Sequence, residues 1–123
     1  MRYEVRVRVD DISAAHFLPD YPGPCANLHG HNWSLEATVG AECLEGDMVA
    51  DFALLKAVFK RLDHTCLNDD PEITAGGHRA TAERLAEVLA GRLQRALDTL
   101  ANRPRLLAVV VRETGRNEVV FTP

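Results

Sequence analysis

No stretch of this sequence approaches the about 18 consecutive apolar residues that a membrane-crossing helix requires. Its opening, Met1-Arg2-Tyr3-Glu4, reads as the charged start of a strand and not as the basic-then-apolar beginning of a signal peptide, so the chain is expected to stay in the cytoplasm. It also lacks a polybasic segment. Its 14 Lys and Arg are interleaved with 18 Asp and Glu to give a net charge of -4, and no row of cations is available to neutralise phosphates, which argues against nucleic-acid binding. Cysteine is scarce and odd in number: Cys25, Cys43 and Cys66 point to reduced thiols and not to a disulfide framework. Internal repeats and low-complexity tracts are missing as well. What remains is an ordinary globular composition, 46% hydrophobic and 26% charged, in 123 residues, enough for one domain spanning residues 1–123 and no second core.

The hydrophobic pattern organises that domain. Tyr3, Val5, Val7 and Val9 alternate with Glu4, Arg6 and Arg8, which predicts a half-buried strand running to about Phe17, with a bulge or bend at Asp10-Asp11. Three prolines between residues 19 and 24 force a loop that delivers Cys25. From His31 a second alternation places Trp33, Leu35, Ala37 and Val39 on one face. Asp51 is a plausible N-cap for a helix carrying Phe52, Leu55, Phe59 and Leu62. Residues 63–80 hold Asp-Asp-Pro and Gly-Gly and read as loop. Thr81 then caps a longer helix with Leu85, Leu89, Leu93, Ala96 and Leu100 at helical spacing, stopped at Asn102-Arg103-Pro104. The apolar run 106–111, the turn residues 114–117 and Val119-Val120-Phe121 make a final hairpin. The expected class is α+β in the order β-β-α-α-β-β: a four-stranded antiparallel sheet backed by two helices, whose open edges closure between subunits would remove.

Chemistry concentrates in one segment. In extended backbone the side chains of His29 and His31 project to the same side and can converge on one ion, and the intervening Gly30 leaves room for bending and close approach. An antiparallel return carries His16 alongside them. Three neutral imidazoles with one open position match a catalytic zinc, and zinc is favoured over iron because the same segments supply no carboxylate for a facial triad. Cys25 sits in a loop where a nearby cation would favour its thiolate, a competent base; as a fourth ligand it would instead close a structural site, and spacing leaves both open. Cys43 and Cys66 lack that context and are read as structural.

The segments Ser13-Ala14-Ala15-His16, Cys25-Ala26-Asn27-Leu28-His29-Gly30-His31-Asn32 and Leu62-Asp63-His64 resemble the 6-pyruvoyltetrahydropterin synthase family, most closely its bacterial 6-carboxytetrahydropterin synthase branch of queuosine biosynthesis. Further matches at residues 47–52, 67–69, 81–83 and 112–114 extend the likeness over nearly the whole chain. The resemblance implies a tunnelling fold in which trimers close a barrel and stack into a hexamer. It implies 7,8-dihydroneopterin triphosphate as substrate, bound at subunit interfaces. It implies His16, His29 and His31 as ligands of Zn2+, Cys25 as catalytic base, Asp63 and His64 as a proton relay, and Glu113 as the carboxylate that anchors the pterin. Thr81 and Glu83 are further candidate substrate contacts, although each also fits ordinary helix-start chemistry.

Three positions depart from the family pattern. Ala80 stands where bacterial members usually carry proline, and Arg112 replaces an aromatic residue before Glu-Thr, which bears on the wall of the pterin pocket. Ala26 stands where folate-pathway variants place glutamate, which argues against that activity. The expected reaction is cleavage of the triphosphate substrate to 6-carboxytetrahydropterin with release of acetaldehyde and triphosphate. The alternatives are 6-pyruvoyltetrahydropterin synthesis from the same substrate and a non-catalytic pterin- or zinc-binding paralogue.

Overall fold

A computed structural model describes residues 1–123. Two long strands, β1 (Tyr3–His16) and β2 (His29–Ala41), form the centre of the sheet, followed by α1 (Phe52–Lys60), β3 (Thr65–Cys66), α2 (Pro71–Thr74), α3 (Ala82–Leu97), β4 (Arg105–Thr114) and β5 (Asn117–Phe121). The sheet order is β3-β1-β2-β4-β5, antiparallel except for the parallel β1–β3 pair. The α+β class is as expected, but the sheet has five strands and the chain three helices. The additional elements β3 and α2 lie within residues 63–80, expected to be loop: two residues paired on a sheet edge and one helical turn are too short to leave a periodic pattern.

The expected bulge is present and fixes which side chains meet. Between the pairs Val9↔Leu35 and Ile12↔Trp33, β1 spends three residues against two on β2, with Asp11 left-handed at φ 58°. The extra residue switches the buried parity of β1, so that Val7 is followed inside by Ile12, Ala14 and His16. Without it, the polar parity of Arg6 and Arg8 would have carried His16 onto the opposite face.

One face of the sheet carries the core, where Trp33, Leu35, Ala37 and Val39 of β2 meet Leu55 and Phe59 of α1 and Leu85, Leu89 and Leu93 of α3. Fully burying each large apolar side chain contributes on the order of 1.5–3 kcal/mol, which holds both helices against the sheet. Asp51 caps α1 by accepting from the Ala53 amide, and Thr81 caps α3 by accepting from the Arg84 amide, both as expected. Helix α3 ends at Leu97, one turn before Asn102, and Phe52 is exposed instead of joining the apolar stripe. No helix is long and apolar enough to cross a membrane. The sheet does not close on itself: β3 and β5 are its two edges.

Candidate metal centre

Four side chains from three strands meet at one end of the helix-covered face. The register pairs His16 directly with His29 and Ala14 with His31, so the three imidazoles cluster with ring centroids 4.6 to 5.2 Å apart. Strand β4 adds Glu113. Its position follows from the pair Ser34↔Arg112: Arg112 lies on the polar face against Glu36 and Glu118, and Glu113, one residue on, turns to the core face. One ligand atom from each of His16, His29, His31 and Glu113 lies within 4.8 Å of the others. Trp33, 1% exposed, forms the floor, packing edge-on against the His16 and His31 rings while its indole N–H donates to the Ala14 carbonyl.

Backbone carbonyls aim the rings. His16 Nδ1 lies 2.8 Å from the Ala80 carbonyl oxygen and His29 Nδ1 lies 2.6 Å from that of Asn27. Each Nδ1 therefore carries the proton and each Nε2 presents a lone pair to the centre of the cluster, the arrangement that orients a metal-binding imidazole. Burial, the largest influence, pushes His31 below its ordinary value of 6.5; Glu113 opposes that shift, and His16 and His29 add to it. A neutral ring is the ligating form. His16 Nε2 and His31 Nε2 are buried without a hydrogen-bond partner, an expensive condition that a cation at the centre would relieve. The residues present fit a bound metal.

The other expected site residues divide. Cys25 lies exposed on the turn Pro24–Ala26 and contributes no atom to the cluster, so the closed site with a cysteine ligand is not formed. Asp63 and His64 do touch, Oδ2 to Nδ1 at 3.0 Å. Asp63 does not cap a helix: its Oδ1 accepts the Ser13 amide, while the His64 amide donates to the Ser13 carbonyl, which fastens the pair to β1. The Ser13 amide, then His64, holds the Asp63 carboxyl below its ordinary range. His64, left-handed at φ 63°, shares a groove with His31, Gly30 and Asn32. The Thr81 hydroxyl is occupied as the α3 cap and Glu83 is exposed on the first turn, so neither joins the cluster.

Glu113 lies among the histidines, Oε1 3.1 Å from His16 Nε2 and 3.3 Å from His31 Nε2. That removes the reason for preferring zinc to iron, since a carboxylate does reach the site, from a strand about eighty residues away in sequence. Within the chain itself a Cβ at Gly30 would meet only the Ala14 carbonyl oxygen, at 3.8 Å. Contacts that sequence reasoning missed are the carbonyls of Asn27 and Ala80, which as backbone atoms leave no side-chain signature, and Asn68. The Asn68 amide imitates a strand partner, accepting from the Phe17 N–H and donating to the Phe17 carbonyl just beyond His16.

Residues 4–123 match the family described as 6-pyruvoyl tetrahydropterin synthase. The chain belongs to that family. It is 37% identical over 117 residues to the 6-carboxy-5,6,7,8-tetrahydropterin synthase of Bacillus subtilis, covering 91% of this chain and 80% of the relative. With the enzyme of the same name from Synechocystis it shares 36% over 95 residues, 69% of this chain and 70% of that one. The solved 6-pyruvoyl tetrahydropterin synthase of Caenorhabditis elegans superposes with a TM-score of 0.74 at 26% identity, covering 98% of this chain and 96% of the other. The family's fold is thus present as an open five-stranded sheet, with a four-residue cluster able to hold a metal at one end.

Proposed function

We propose that the chain is a zinc-dependent lyase converting 7,8-dihydroneopterin triphosphate to 6-carboxytetrahydropterin, with release of acetaldehyde and triphosphate, in the cytoplasmic synthesis of queuosine. The observation that carries this reading is the pair of buried, partnerless Nε2 atoms of His16 and His31, in a chain most of which is 37% identical to a relative of that name. When bound, zinc would supply Lewis acidity toward the hydroxyls and developing carbonyl of the substrate side chain. His16, His29 and His31 would hold it, with Asn27 and Ala80 fixing two of the rings.

Cys25 stands four residues before His29 with its thiol exposed, and is assigned the abstraction of the carbon-bound proton. His64 is assigned to receive or return a proton at Nε2, because Asp63 Oδ2 holds its Nδ1 and orients the ring. Glu113 is assigned to the pterin, whose adjacent ring N–H and amino donors suit a bidentate carboxylate. Thr81, which caps α3, and Glu83, exposed on its first turn, are assigned as further substrate contacts. The open edges β3 and β5 and the exposed Val120 support assembly into trimers that close a barrel and stack as a hexamer, to be checked by light scattering.

Incubation of zinc-loaded protein with dihydroneopterin triphosphate, with products identified by mass spectrometry, tests the reading. Acetaldehyde with 6-carboxytetrahydropterin supports it. A 6-pyruvoyl product would favour the activity named for the Caenorhabditis elegans neighbour, and absence of turnover would favour a binding paralogue.

A further inference from the structure

We propose that Arg112 is a positioning residue for Glu113, its guanidinium clamping β4 from the opposite face of the sheet so that the Glu113 carboxylate is presented to the pterin; this rests on the reading of Glu113 as the pterin anchor. Glu113 has no cross-strand partner. Between the pairs Arg112↔Glu118 and Thr114↔Asn117, β4 spends one residue more than β5, and that residue is Glu113. On the other side the register with β2 ends at Ser34↔Arg112, one residue short of it. Such a bulge re-aims a side chain, here toward the histidines, but the residue it releases is fixed by neither ladder. Something else must set its direction.

The residue before it does so. Arg112 points to the polar face with its side chain 21% exposed, Nε 2.9 Å from Glu118 Oε2 and Nη1 3.8 Å from Glu36 Oε1. Glu118 belongs to β5 and Glu36 to β2, so one cation ties β4 to both neighbouring strands immediately before the bulge. Without it, two carboxylates held around the same point would repel across β4. Arginine suits the place, because its planar fork can face two acceptors at once, whereas a lysine is a single point charge. Successive residues of a strand project to opposite faces, so the angle at which Arg112 is clamped below the sheet fixes the angle at which Glu113 leaves above it. Arg112 therefore acts on the pterin through Glu113 and touches neither ring nor metal.

The test measures the affinity of zinc-loaded protein for 7,8-dihydroneopterin, which carries the ring without a leaving group, by equilibrium dialysis. Arg112→Met and Glu118→Gln are each examined alone and combined with Glu113→Ala. Arg112→Met should bind the pterin about tenfold more weakly, within the roughly 10²-fold that misplacing a group by about 1 Å can cost. Glu118→Gln alters a half-exposed side chain, so it keeps the test available should Arg112→Met fold poorly. It should lose roughly threefold, because a neutral hydrogen bond has about half the strength of a charge-assisted one. Neither change should weaken binding further once Glu113 is alanine, since a positioning residue then has nothing left to position; a general structural loss would add to that of Glu113→Ala. Additive losses, or undiminished binding in both Arg112→Met and Glu118→Gln while Glu113→Ala loses affinity, would overturn the positioning role and leave Glu113 as the anchor. Undiminished binding by Glu113→Ala would overturn both.

Discussion

Two polar clusters in this small fold have opposite hydrogen-bond states. At the far end of α3, Arg92 donates to both oxygens of Asp70 at 2.8 and 2.7 Å and to Glu72 at 2.6 Å, while Arg95 reaches Glu72 at 3.0 Å and Arg84 donates to the carbonyls of Glu72 and Ile73. Every charge there has a partner, and the effect is to rivet residues 70–73 to α3. In the histidine cluster the reverse holds: the Nε2 atoms of His16 and His31 are buried without a hydrogen-bond partner. A cavity of about 850 Å3 lies between the saturated network and His64. The convergence of those two nitrogens with a third imidazole and a carboxylate, and not the lack of a partner alone, distinguishes the site, since Asn102 Oδ1 and Arg112 Nη1 are also buried without one.

The largest expected effect breaks the comparison at its metal end. His29→Ala should fall from one zinc per chain to none and lose turnover, whereas Arg92→Ala should keep its zinc; metal analysis of the two purified variants decides, and a zinc-replete His29→Ala would dissolve the distinction. Next comes Cys25→Ala, expected to lose rate by about 10²–10⁴-fold while zinc content and assembly stay as in wild type. Zinc loss in this variant would mean that the thiol is a ligand after all.

The saturated network should speak through stability. Arg92→Ala is expected to cost on the order of 1–3 kcal/mol in urea unfolding, since it leaves the part-buried Asp70 without its cation; the contribution of Glu72, more exposed, is discounted for screening. That cost should depend on pH. Partial burial alone would raise the Asp70 carboxyl, but Arg92 outweighs it and holds Asp70 below its ordinary 3.8; Arg92, then Arg95, holds Glu72 below its ordinary 4.5. The unfolded chain therefore binds more protons as the pH falls. The stabilisation is complete above those ordinary values and is lost as the pH drops through the depressed folded ones. The gap between wild type and Arg92→Ala should narrow from pH 7 toward pH 3; a constant gap would show that Arg92 acts through packing and not through charge. The smallest effect is expected at Gly30→Ala, within about 0.5 kcal/mol of wild type and with zinc retained, because an added methyl meets only ordinary contact.

Much of this was legible in the chain itself. Period-two alternation in residues 3–9 and 31–39, helical spacing after Asp51 and Thr81, and turn residues at 114–117 located the main strands and helices, because each signal is carried by neighbours in sequence. The bulge at Asp10-Asp11 was legible too, and so were the His29 and His31 pair and the contact of Asp63 with His64, since adjacent or alternate residues need no tertiary information to meet. Tertiary structure alone decided the rest. That Glu113 stands among the histidines depends on the register of β4 against β2, that Asp63 grips Ser13 on the parallel pairing of β3 with β1, and that Asn27 and Ala80 set the ring tautomers on where two carbonyls fall. Short-range pattern fixes which face a residue occupies within its own strand; which residue of another strand lies opposite it is set only when the whole sheet settles its registers around one buried core.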